Sequence, residues 1–181
     1  MSHKQSMEKN QTALYQMEIN HMNENLDNLH RSIAQNIFAK APDRIWTSGV
    51  CIVKLIYGYI EGKITFFLDG EEISTSGVGG QNYLLVEKLR NSMAEINQGD
   101  AWYTMVVNVQ EDGKFKFDFD YDHLPAFDIL PDREDWEREF KMYPSADLQT
   151  HVQDWIDGTI KDDDWEVVTK RLRELNPSAD S

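Results

Sequence analysis

Apolar residues recur along the first part of the chain with a helical period. Leu14, Met17, Met22, Leu26, Leu29, Ile33 and Ile37 stand mostly three or four positions apart, the stripe of an amphipathic helix. Pro42 biases Ala41 away from helical angles, so this helix is expected to end near Lys40. Residues 1–11 precede the stripe, carry no such period and are expected to be disordered. Residues 50–60, rich in Val, Ile and Tyr, read as a strand. Glu61-Gly62-Lys63 then supplies a turn into residues 64–68, giving a hairpin. Residues 69–82 hold Gly77, Gly79 and Gly80 with Ser74, Thr75 and Ser76, a composition that favours a loop.

A second helical stripe follows in Tyr83, Val86, Leu89, Arg90, Met93 and Ile96, and Gly99 suits its end. Residues 102–110 and 114–122 read as strands joined by the Glu111-Asp112-Gly113 turn. Pro131 fits the first position of a helix that places Trp136, Phe140 and Tyr143 on one side, and Pro144 stops it. Ser145 can cap a helix carrying Leu148, Val152, Trp155 and Ile156. Residues 164–175 make a last amphipathic segment with Val167, Val168, Leu172 and Leu175. The order α-ββ-α-ββ-ααα predicts an α+β fold, an antiparallel sheet of two hairpins with helices packed on one face. The 181 residues fit a single domain, with residues 12–144 as its body and 145–181 as a C-terminal helical extension.

Charge changes this picture more than composition does. The net charge is −14, and residues 111–140 hold eleven acidic against four basic residues, half of that total. Such a surface repels nucleic acid and anionic membranes and favours a basic partner. No stretch has the roughly 20 apolar residues of a membrane-spanning helix, and no apolar run opens the chain as a secretory signal would. A cytoplasmic location is therefore expected. The single Cys51 lies in the apolar run 50–60 and reads as a small buried hydrophobe.

The most regular pattern is Phe115, Phe117, Phe119 and Tyr121 alternating with Lys116, Asp118, Asp120 and Asp122. Alternate side chains of a strand face opposite ways, so the aromatics are expected in the core and the three aspartates on the outer face. Asp132, Glu134, Asp135 and Glu139 are expected to extend that negative surface from the following helix, while Trp136 and Phe140 pack inward. These seven acids are the candidate partner-binding residues. The Asp118-x-Asp120-x-Asp122 spacing also offers oxygen ligands, but His123 stands where a calcium loop needs glycine and Ile129 where it needs glutamate. The glycines at 77–80 lack the spacing of a phosphate cradle. The five histidines show no metal-ligand spacing and no Gly-x-Ser-x-Gly turn occurs, so no catalytic residue, metal or cofactor is assigned.

Three blocks carry a resemblance to a family. They are Pro42-Asp43-Arg44-Ile45-Trp46, then Trp102, then residues 113–122 followed by Arg133 and Trp136. In order and spacing they resemble the YezG-type immunity proteins, small bacterial proteins encoded beside polymorphic secreted toxins; the likeness covers residues 12–144. It implies an antitoxin, not an enzyme, that binds and blocks a cognate protein toxin inside the producing cell. It further implies that the toxin is often a nuclease, whose basic cleft an acidic inhibitor can occupy. From the residues alone two alternatives stay open: a general adaptor or chaperone-like module using the helical tail, and a metal-dependent hydrolase using Asp118, Asp120, Asp122 and His123.

Overall fold

The computed structural model of the protein describes residues 3–176. Helix α1 spans His3–Phe38. It takes in residues 3–11, ahead of the apolar stripe that begins at Leu14. Five strands follow, β1 Ser48–Ile56, β2 Tyr59–Leu68, β3 Glu71–Gly77, β4 Thr104–Gln110 and β5 Phe115–Asp120, with α2 Gly80–Ile96 between β3 and β4. Helices α3 Arg133–Met142, α4 Ala146–Gln149, α5 Gln153–Ile156 and α6 Trp165–Leu175 follow among the described residues. The sheet is antiparallel in the order β3-β2-β1-β4-β5.

Two turns differ from expectation. The β1–β2 hairpin closes at Tyr57-Gly58, with Ile56 paired to Tyr59 and Gly58 at φ 83°. Glu61, Gly62 and Lys63 instead lie inside β2. Gly62 is needed there for close approach, because a Cβ at that position would come 2.9 Å from Val78 Cγ2 and 3.0 Å from the Ile52 carbonyl oxygen. The serine- and threonine-rich stretch read as a loop contains the edge strand β3. Asp69 at φ 50° and Gly70 at φ 91° form the two-residue left-handed turn that returns the chain onto β2. Thr65 and Thr75 hydroxyls meet across this pair at 3.1 Å.

One face of the sheet is covered by α1 and α2. Leu29, Ile33 and Ile37 of α1, with Val86 and Leu89 of α2, pack on Cys51, Val53, Ile64, Phe66, Met105 and Val107. The Asn36 side chain donates to that of Asn82 at 3.0 Å and ties the two helices together. The last helices form a second core of their own around Phe127, Trp136, Phe140, Val152, Trp155, Val168 and Leu172. This core closes the β1–β2 turn end of the sheet through Ile56 and Tyr103. It also reaches the face opposite α1 and α2, where Lys54 donates to the Ala126 carbonyl at 2.7 Å and Tyr59 to that of Ile129 at 3.0 Å.

The two cores are joined by a buried ion pair. Arg90 of α2, 1% exposed, donates from its two terminal nitrogens to Glu139 of α3, 0% exposed, at 3.1 and 2.8 Å. Its Nε bonds the Trp102 carbonyl at 2.6 Å, and Glu139 also accepts the Tyr57 amide at 2.6 Å. The guanidinium lies over the Tyr103 and Tyr143 rings, 5.4 and 4.7 Å from their centroids. Burial first, then the Glu139 charge, holds the Tyr103 hydroxyl well above its ordinary value.

Candidate protein-binding face

The aromatic side of β5 is less buried than its alternation suggested, because β5 is an edge strand. Phe117 and Phe119 are half-buried under α1, with the His30 ring 4.6 Å from that of Phe117, while Phe115 is 41% exposed. Burial lowers the pKa of His30 against an opposing pull from Asp27.

The seven candidate acids fall into different roles. Asp118 is exposed and paired with Lys116 at 2.6 Å on the sheet face away from α1 and α2. Asp120 has internal work: it accepts the backbone amides of Asp122 and His123 at 2.9 and 3.2 Å and the Asn176 side chain at 3.2 Å, and it holds the His123 ring at 3.0 Å. It shapes the exit from β5 and anchors the end of the described chain. Asp122 is exposed. Asp132, at the N-cap of α3, and Glu134 are exposed, and Asp135 is half-buried and paired with Arg138. Glu139 belongs to no surface. It is the partner of Arg90, and its inclusion in the acidic face is corrected by its complete burial.

The structure adds acids that the sequence did not single out. Burial raises the pKa of the half-buried Tyr59, and so do the charges of Glu61, Asp135, Asp128 and Asp132, so these four carboxylates act on one hydroxyl as an acidic cluster. Glu61 accepts the Asp128 amide at 2.9 Å, and burial holds its own carboxyl above the usual range against that bond. Ile129, next in sequence to Asp128, is 71% exposed, and its carbonyl accepts the Tyr59 hydroxyl at 3.0 Å. The four acids and this apolar side chain stand near the same tyrosine.

A second feature adjoins it. Val50 and Ile52 of β1, Phe67 of β2 and Val106 of β4 lie on the sheet face opposite α1 and α2, are half-buried, and belong to neither core cluster. The register aligns Lys63, Ile52, Val106 and Asp118 as neighbours across four strands. A signal for this lay in residues 50–53, where apolar side chains occupy both faces of β1, a pattern usual for strands covered on both sides. Here only the side bearing Cys51 and Val53 is covered at this end.

Asp118, Asp120, Asp122 and His123 do not converge on a shared centre, since Asp118 turns to Lys116 and Asp120 to the following amides. Among the described residues no helix is long and apolar enough to cross a membrane. No curated protein matches the chain. The crystal structure of chicken CD1-1 is 11% identical, with a TM-score of 0.23, over 74% of this chain and 63% of that one, a likeness too slight to inform fold or function. A family model described as "YezG-like: Immunity protein YezG-like" matches residues 80–152. Through that segment, which holds α2, β4, β5, α3 and the buried Arg90–Glu139 pair, the chain matches the YezG-like immunity proteins.

Proposed function

We propose that this protein is an antitoxin that binds and neutralises a cognate protein toxin in the cytoplasm of the producing cell, the toxin being basic and of nuclease type. The observation that carries the reading is the match of residues 80–152 to the YezG-like immunity proteins. The charge distribution supports the basic character of the partner. With a net charge of −14 and Glu61, Asp128, Asp132 and Asp135 clustered near Tyr59, the protein attracts a surface built to hold a polyanion. Asp122 and Glu134, also exposed, add to that field. Inhibition by this route needs no chemistry from the antitoxin. It needs only a complex that outlasts the toxin's encounter with its substrate.

The test is co-expression with the toxin encoded beside the gene. Cells carrying both proteins are expected to survive and the two to copurify in a fixed ratio; growth arrest despite ample soluble antitoxin would refute the proposal.

A further inference from the structure

The open side of the sheet raises a physical question that the acidic cluster near Tyr59 does not answer. An antiparallel sheet with one solvated face ordinarily shows polar side chains there. In this protein the centre of that face is Val50, Ile52, Phe67 and Val106. Clustered apolar side chains outside both cores are the kind of surface that a partner can cover.

The charges around the patch say what kind of molecule. Along the row Lys63, Ile52, Val106, Asp118, a cation and a carboxylate flank the apolar pair, the carboxylate being paired with Lys116 on the same face. Two residues from Lys63 on the same face of β2 stands Glu61, one of the four carboxylates about Tyr59. On that face of β2 the exposed Lys63 stands between the apolar patch and Glu61, which is itself paired with Lys54 at 4.0 Å. A second copy of this chain would carry its own −14 charge to the contact, where like charges oppose. A partner with an apolar ridge bordered by basic residues meets no such repulsion.

We infer that the open sheet face around Ile52 and Val106 is where the toxin seats an apolar ridge, with basic residues of the same toxin surface lying over Glu61, Asp128 and Asp132. This rests on the proposed antitoxin role and adds where, and by what chemistry, the toxin is held. The division of labour follows from the physics: the carboxylates speed the encounter, and the desolvated apolar centre sets how long the complex lasts.

The experiment measures binding of the full-length protein to the toxin encoded beside its gene, together with protection on co-expression. Ile52→Lys and Val106→Lys place a charge at the centre of the patch, and Ile52→Thr keeps a β-branched side chain for the case that lysine disturbs folding. Leu84→Lys, on an exposed position of α2, is the control. The affinity is expected to fall by at least about 30-fold in the sheet variants, as at an interface hot spot, and by less than about 3-fold in the control. Wild-type binding with unchanged affinity in folded Ile52 and Val106 variants would overturn the inference and leave the antitoxin role standing. A wild-type protein that neither binds nor protects would overturn the role itself. Sedimentation velocity tests the competing occupant: a dimer of the free protein that Ile52→Lys dissociates, with toxin binding intact, would assign the face to a second copy and refute the inference.

Discussion

Arg90 and Glu139 hold opposite charges out of water, and their geometry determines what each substitution does. Glu139→Ala leaves a guanidinium buried without its carboxylate and frees the Tyr57 amide. A loss of about 3–5 kcal/mol in urea unfolding is expected, the scale for breaking a buried pair from one side. Glu139→Gln keeps an oxygen for Tyr57 and should cost less. The pair could be suspected before any coordinates: Arg90 interrupts the apolar stripe of α2, and Glu139 stands three residues after Trp136, on the side of α3 that turns inward. Two unlike charges on two buried stripes are each other's most economical partners. What the sequence did not contain was their distance, since 49 positions separate them. Glu139 was therefore read with its exposed acidic neighbours. Gly49 shows a similar limit, because nothing local marks it as a contact point. A Cβ there would stand 2.8 Å from the Phe66 ring and 2.9 Å from Val109 Cγ2. Gly49→Ala is expected to lower stability by about 1–3 kcal/mol in thermal or denaturant unfolding, the cost of overfilling a packed site.

At the scale of elements, the strands rich in large apolar residues were legible and the strand built mainly of serine, threonine and glutamate was not. The alternation of Phe115, Phe117 and Phe119 with charged residues announced β5. β3 was hidden because an edge strand that pairs on one side tolerates serine, threonine and glycine, which also mark loops. The last helix is attached by a bond that titrates. Arg171 of α6 donates to both carboxylate oxygens of Asp154 in α5, at 2.9 and 2.8 Å, and to the His151 carbonyl at 2.7 Å. The Arg171 side chain, by this hydrogen bond, holds the Asp154 carboxyl below its usual value. A depressed carboxylate pKa gives stability that is present above the unfolded value of about 4 and lost as pH falls through the lower folded one. Both side chains are about a third exposed, so the contribution is at most about 1 kcal/mol. Asp154→Asn should therefore reduce stability slightly at pH 7 and remove part of its decline below pH 4. Unfolding midpoints measured across that range would show it.

For the whole molecule, the net charge of −14 was read correctly as a total and only in part as a map. Asp132 and Asp135 act on Tyr59 together with Glu61 from β2 and Asp128 from the connection before α3, which only the folded chain brings there. Asp120 is engaged by its own backbone turn, and Glu139 is buried against Arg90. If these acids steer a basic toxin, Asp128→Lys together with Asp132→Lys should slow association several-fold at low ionic strength and flatten its dependence on salt, with little change in dissociation. Stopped-flow association at two salt concentrations separates these effects.

The buried pair also bears on how the protein comes into being. A chain made from its N-terminus completes the five strands, α1 and α2 by residue 120, so the first core can assemble while α3 is still unmade. Arg90 would then face the Trp102 carbonyl and the Tyr103 ring, with no carboxylate beside it until residue 139 arrives. The early core holds its apolar contacts from the first 120 residues, while its buried cation is neutralised by a helix from a later part of the message.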